Sequence, residues 1–470
     1  MPPSDTPQMP DLFDTAVVAS STLPPLSGTE VLPQNSDSLG SAAAYDRGLR
    51  LLHTADWQIG KPYHAFPAED AVMLAEARFH VVERIAEQAQ ADGIDAVLVA
   101  GDVFDAQGLS DRTIHRLFHS LAGFTGPWLL LPGNHDAALT ESIWARAQRL
   151  GCVPDNVHLC LAPRVHLFEA LRLAILPAPL TQRHTHHDLT EWFAQAETPP
   201  GWWRIGLAHG SVQGILADDI DSSNPIAPNR ADQAGLDYLA LGDWHGTRRI
   251  DARTWYSGTP ETDRFRANES GQILQVTWES AAESAVSTTR SPSIAGTSED
   301  TLQADTDTGH GRRAPPTVTA LTTTRYRWRT YAAVLQVESD AAALLHDIAG
   351  LTSQDVVQYK VEGVADLAGQ QRLQQALDRA QGRARSVSAD MRGLRLQPTA
   401  DDIAALHADG YLGDVIATLQ EAQQDADRDK AECAHDALIL LAGLLQPNPG
   451  NATTADAAIV TTVATTEGRA

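Results

Sequence analysis

From about residue 49 to residue 278 the chain switches repeatedly between two hydrophobic periods. Short, nearly continuous apolar runs read LRLLHT at 49–54, AVLVAGD at 96–102 and PWLLLPGNHD at 127–136, then LRLAILPAP at 171–179, WRIGLAHG at 203–210, DYLALGDWHG at 237–246 and GQILQVTW at 271–278. Runs of this length and Val/Leu/Ile content fit strands covered on both faces. Between the first two, Val72, Ala75, Phe79, Val82, Ala86 and Ala89 recur at intervals of three and four. That spacing lays one apolar stripe along a helix over 69–91, which Gly93 ends, and a second helix is expected near 111–122. Strands alternating with helices predict an α/β architecture.

Outside this stretch the pattern changes. Residues 1–48 are rich in Pro, Ser, Asp and Thr without periodicity and read as a disordered tail. The alternating domain is expected to occupy 49–280, followed by a flexible Ser/Thr/Ala/Gly linker over 281–322. A smaller unit over 323–398 starts with the strand-like YAAVLQVES and VVQYKVEGV and continues into a helix at about 366–382. Helices with apolar faces, containing YLGDVIATLQ and CAHDALILLAGLL, fill 399–446 and suit packing or a partner; a second disordered tail covers 447–470.

Composition narrows the function classes. The formal net charge of −25 excludes a stand-alone basic nucleic-acid-binding module, so contact with DNA would need a local patch or a partner. Cys152, Cys160 and Cys433 are odd in number and fit neither a zinc knuckle nor a redox pair, which leads to the expectation of a reducing, cytoplasmic location. The first residues lack the basic and apolar regions of a signal peptide, and no apolar run reaches the ~18 residues of a membrane span. No glycine-rich nucleotide-binding loop of the P-loop type appears.

The chemistry lies where the apolar runs stop. LRLLHT leads into Asp56 and Gln58, AVLVAG into Asp102 and Asp105, PWLLLPG into Asn134, His135 and Asp136, WRIGLA into His209, and DYLALG into Asp243 and His245. In open α/β sheets ligands bind beyond the carboxyl ends of the strands, so these clusters converge although they are far apart in sequence. Asp, Asn and His supply oxygen and imidazole donors without thiolate, which suits Mn2+, Mg2+ or Fe2+ better than structural zinc. Alone, each motif has an ordinary reading as a helix cap, a turn or a core histidine; their order and joint occurrence point to a metal centre. His184, His186 and His187 read as an exposed loop or a secondary metal site. Trp57 and Trp244 read as packing or as base-stacking groups, and His53 and His64 as neighbours that hold the ligands.

LLHTADWQIGK, LVAGDVFD, LLPGNHD, LALGDWHG and YSGTPE together resemble the calcineurin-like metallophosphoesterase superfamily, and within it the SbcD-type DNA repair exonucleases. The resemblance implies a four-layer α-β-β-α sandwich with a smaller α+β C-terminal capping domain. It implies two divalent ions, Mn2+ first and Mg2+ second, one held by Asp56, Gln58, Asp102 and His245, the other by Asp102, Asn134, His209 and Asp243. His135 would act on the transition state or the leaving oxygen, oriented by Asp136 or a backbone group, with Asp105 and His53 in supporting positions. The implied partners are DNA and an SbcC-like SMC-family ATPase, with a homodimer among the assemblies known in that group and no membrane. Two positions depart from the superfamily pattern: Gln58 stands where a histidine is usual, and Asp243 replaces the first histidine of the last motif. Gln58 therefore either ligates through its carbonyl or stands outside the ligand set, and a degenerate site is a third reading. A small-nucleotide phosphodiesterase and a non-catalytic scaffold are the alternative functions.

Overall fold

The computed structural model describes residues 30–31, 48–215, 223–265, 268–279, 313–396, 411–424 and 427–445. Apart from Glu30–Val31 and Thr317–Thr322 with the residues just before it, the expected tails and linker lie outside the described residues.

Two sheets stack face to face. The first has six strands in the order Thr317–Thr322, Gln272–Trp278, Leu49–Thr54, Ala96–Val99, Trp128–Leu130, Val157–Leu159. Its last four are mutually parallel. The second has seven, in the order Glu30–Val31, His166–Phe168, Leu173–Ala178, Trp203–His209, Tyr238–Gly242, Thr254–Tyr256, Arg248–Arg249. The core between them takes Leu51, Leu98 and Leu129 from the first sheet and Ile175, Leu207 and Ala240 from the second. On the outer face of the first sheet, helices Ala68–Ala91, Asp111–Ser120 and Ile143–Leu150 bury Val82, Ile85, Leu117 and Trp144. The second sheet is covered more thinly, by a 3-10 turn at Glu191–Ala194 and the short helix Arg230–Gln233. The expected four layers are present, and the fourth is slight.

Local chemistry explains most boundaries. Ser110 and Ser142 cap their helices by accepting the N–H of Thr113 and Ala145. The long first helix runs out at Ala91, two residues before Gly93 turns left-handed at φ 61°. Its buried face differs at the start from the sequence expectation: Val72 is exposed, Leu74 and Ala77 face inward where the smaller unit packs, and Arg78 turns in to Tyr63, Trp57 O and Asp263. The end of the Ser/Thr-rich segment is also ordered. Thr317–Thr322, with four of its six residues Thr or Val, pairs antiparallel with Gln272–Trp278 as a β-branched edge strand.

The smaller unit alternates strand and helix: Arg327–Leu335, helix Glu338–Ala349, Asp355–Ala365, helix Leu367–Gln381, Ser386–Leu396. Its three strands are parallel, so the α and β elements are interleaved rather than segregated. It docks through Tyr326, Trp328 and Val356 against Tyr63, Phe66, Leu74 and Phe265. The buried Glu261 fixes the junction by accepting the backbone N–H groups of Arg325 and Tyr326 and the Thr324 hydroxyl. Arg385 reaches back to Asp70 at 2.8 Å. Two further helices, Tyr411–Ala422 and Arg428–Leu445, pack on each other. Among the described residues no helix is long and apolar enough to cross a membrane, and the three cysteines are unpaired.

Glu261→Ala would leave the buried Tyr326 N–H and the partly buried Arg325 N–H without their acceptor. The expected result is a loss of about 2–3 kcal/mol, seen as a lower melting temperature and faster proteolysis near residue 325, with the sheet core unchanged by hydrogen exchange.

Candidate metal centre

The parallel strands of both sheets end at one place. Thr54 lies beside Val99 and Val99 beside Leu130 in the first sheet, and His209 lies beside Gly242 in the second. Just past these ends the loops remain laced together: the N–H of Asp56 bonds to Gly101 O at 3.0 Å, and that of Gln58 to Asp102 O at 2.8 Å. The chain must reverse at once to aim its polar side chains inward. Asp56, Gln58, Asp102 and Asp243 all take positive φ, at 54°, 42°, 52° and 95°. Such a conformation costs of order 1–3 kcal/mol per residue and persists where surrounding structure enforces it. Two glycines make the approach feasible. A Cβ on Gly101 would stand 2.2 Å from His209 Nδ1, and one on Gly133 would stand 2.2 Å from Asp102 Oδ1.

His209 is the focus. Its Nδ1–H donates to Ala100 O at 2.8 Å, which turns Nε2 toward the acids. Around Nε2 lie Asn134 Oδ1 at 3.4 Å, Asp102 Oδ1 at 3.6 Å and Asp243 Oδ1 at 3.6 Å. These spacings suit four donors on one divalent ion, whose bonds run about 2.0–2.2 Å. Asp56, Asp102 and His209 also place ligand atoms within 4.8 Å of one another. Asp56 Oδ2 is buried and has no hydrogen-bond partner, an acceptor that a cation would satisfy. The residues at this position therefore fit a metal ion.

The other named residues fall out as follows. His135 donates Nδ1–H to the carbonyl of Asp105 at 2.8 Å, leaving Nε2 at 3.9 Å from Asp102 Oδ2 with the ring partly open to solvent. Asp105 thus holds His135 through its backbone. Asp136 meets the loops instead of the ring: it accepts Gly133 N–H at 2.6 Å and Phe104 N–H at 3.0 Å. Burial first, and then the neighbouring Asp102, push its carboxyl up to about 8. His53 spans the two sheets, bonding Tyr238 Oη at 3.0 Å and Leu241 O at 3.1 Å, and burial lowers its pKa to about 3, so the ring is neutral. Gln58 and His245 approach each other at 3.3 Å between Nε2 atoms, and Gln58 Oε1 accepts a bond from Lys61. His64, His184, His186 and His187 are exposed, and the histidine-rich stretch forms no ligand cluster among the described residues. Trp57 is buried and bonds Thr54; Trp244 is half-buried beside Arg248.

Sequence reasoning missed the group behind His245. Asp263, fully buried, receives Lys61, Arg78 at 2.8 Å and Arg264 at 2.9 Å. Burial would raise its pKa, but the bonds and charges of His245, Arg78 and Arg264 prevail and hold it well below the usual carboxylate range. The text after YSGTPE, with Asp263 and Arg264 adjacent, was the available signal.

Two stacked sheets whose carboxyl edges meet at a buried cluster of acids and imidazole are the fold and site of the metallophosphoesterase class of domain. Residues 49–270 match the Calcineurin-like phosphoesterase family, and this part of the chain is a calcineurin-like metallophosphoesterase domain. The chain is 28% identical over 243 residues to the DNA double-strand break repair protein Mre11 of Aeropyrum pernix, covering 47% of this chain and 55% of that protein. It is 40% identical over 95 residues to a component of the nuclease SbcCD of Rhodobacter capsulatus, covering 19% and 22%. It is 25% identical over 215 residues to the uncharacterized metallophosphoesterase YhaO of Bacillus subtilis, covering 43% and 50%. The chain spans about half or less of the length of these curated relatives.

Burial pulls the pKa of His209 down, but Asp102, Asp243 and Asp56 outweigh it and hold the metal-free ring up at about 9. Burial likewise lifts Asp56 to about 6. Ligation needs the lone pair of Nε2, so ion binding must release that proton. Titrating Mn2+ affinity against pH should show a rise of about tenfold per unit up to about 9 and a plateau above it, with a steeper fall below about 6. A flat profile between pH 6 and 9 would remove His209 from the ligand set.

Proposed function

We propose that the chain is a metal-dependent phosphodiester hydrolase that cleaves DNA as the nuclease component of a repair assembly, working with an SbcC-like SMC-family ATPase. The convergence of Asn134, Asp102 and Asp243 oxygens on His209 Nε2, beside an oriented His135, carries this reading. The names of the relatives, a double-strand break repair protein and part of a nuclease, support DNA as the phosphodiester. The oxygen-rich donor set favours Mn2+, with Mg2+ as the substitute.

The ion, when bound, supplies Lewis-acid activation of the scissile phosphate and of the attacking water. The chain's own residues do the rest. Asp102, Asn134, His209 and Asp243 fix the position at which the phosphate is met. His135, pinned at Nδ1 by the Asp105 carbonyl, presents Nε2 to a phosphoryl oxygen and protonates the departing oxygen. Asp136 keeps the loops carrying Phe104 and Gly133 at their spacing, so that Asp102 and His135 stay in register. The acid excess of the whole chain suits a protein whose DNA affinity comes from its partner. Tyr411, Leu412 and Leu440, exposed on the C-terminal helices, offer that partner an apolar surface.

Incubating the full chain, alone and with the ATPase, on linear duplex DNA should give cleavage that depends on Mn2+ and stops with chelator. His135→Ala should bind the ion normally and lose about 10²–10⁴-fold in rate. Hydrolysis of cyclic nucleotides without DNA cleavage would assign a small substrate instead. Full cleavage by His135→Ala would remove that residue's role.

A further inference from the structure

The two ion positions implied by the motif pattern are unequal. At the His209 position four donors converge. At the other, the distinctive ligands are Gln58 and His245, and neither turns a lone pair toward it. Lys61 Nζ bonds Gln58 Oε1 at 3.0 Å and also bonds Asp263. An ammonium has donors only, so the Gln58 atom facing it must be the carbonyl oxygen, and the amide N–H₂ must face the other way, toward His245 Nε2 at 3.3 Å. A glutamine in that orientation presents hydrogens, not a lone pair, to the second position. Arg264 Nη2, also a donor only, lies 2.7 Å from His245 Nδ1, so that nitrogen accepts, the ring proton sits on Nε2, and His245 likewise presents a hydrogen and not a lone pair to the second position. Lys61 cannot easily withdraw, because Asp263 is held in turn by Arg78, itself bonded to Tyr63 and to Trp57 O. The residues at the second position therefore do not fit a metal ion.

We infer that the centre is a one-ion centre: a single divalent ion sits among Asp56, Asp102, Asn134, His209 and Asp243, and the Gln58–Lys61 pair closes the second position. Lys61 and Arg264, both partly exposed at the rim, replace the missing ion's charge and receive a phosphate oxygen of the substrate. Gln58 is then a positioning residue whose amide is oriented by Lys61. This inference rests on the metal-dependent reading above, and the ion count tests it separately from DNA cleavage.

The experiment is equilibrium dialysis of the full chain against Mn2+, with metal analysis and electron paramagnetic resonance. The expected result is one Mn2+ per chain, with the six-line spectrum of an isolated ion. Gln58→His combined with Lys61→Met should bind a second Mn2+ and show an exchange-coupled pair. Lys61→Met alone should keep one ion and weaken the Michaelis constant for DNA more than the turnover rate. Two tightly bound ions or a coupled spectrum in the unaltered chain would overturn the inference, as would no bound ion. If the double variant does not fold, the count on the unaltered chain still decides. One ion without any DNA cleavage would sink the nuclease reading and leave this inference standing; two ions with cleavage would do the reverse.

Discussion

Three carboxylates gathered about one buried imidazole set the terms for the rest of the domain. Asp56 and Asp102 are buried and Asp243 is partly covered, and their mutual repulsion in a dry place is tolerable only if a cation answers it. In the metal-free chain His209 answers in part by holding a proton. The backbone accepts left-handed conformations at four positions to keep these groups aimed at one another, and the glycines at the strand ends are small because the imidazole and a carboxylate occupy the space a side chain would need. The two-sheet framework offsets that strain, through cores on both faces of the first sheet and a third on the second.

Much of this was legible in the sequence, for a definite reason. A strand covered on both faces is written as an unbroken apolar run, so the point where it turns polar marks the strand's carboxyl end, where ligands sit. That logic named Asp56, Gln58, Asp102, Asn134, His209, Asp243 and His245 as candidate ligands, and the fold brings Asp56, Asp102, Asn134, His209 and Asp243 together. It failed where the signal is not periodic. Thr317–Thr322 lies in a Ser/Thr-rich stretch that composition assigns to a linker, yet its β-branched residues complete a sheet edge. Ser386–Leu396 was missed because Ser, Asp, Arg and Gly dilute its alternation. Pairwise chemistry was illegible for a different reason. Nothing local ties Lys61 to Asp263, 202 residues away; only the closing of the fold sets that contact.

The smaller unit is joined to the metallophosphoesterase domain by two kinds of contact that act together. Tyr63, Phe66, Phe265 and Trp328 form an aromatic cluster with ring centroids 5.0–6.4 Å apart, and Glu261 anchors the connecting backbone beside it. Tyr63 also bonds Arg78, which bonds Asp263, so the residues that seat the smaller unit connect to Lys61 and Arg264 through Arg78 and Asp263. Docking and the electrostatics at the rim of the metal centre are thus parts of a single packed group.

The donors at the His209 position come from both sheets: Asp102 and Asn134 follow strands of the first, His209 and Asp243 strands of the second. An ion there is a cross-link between layers otherwise attached by apolar packing, the His53 bridge, the His209–Ala100 bond and the bond from Asp243 N–H to Asp56. Cohesion of the sandwich is consequently a function of the free metal concentration in the surrounding solution. Filling the site to a hundred times its dissociation constant adds about 2.7 kcal/mol to the folded state, and metal starvation withdraws it. By the same linkage, removing the ion would raise the unfolded fraction of the chain and its exposure to proteolysis.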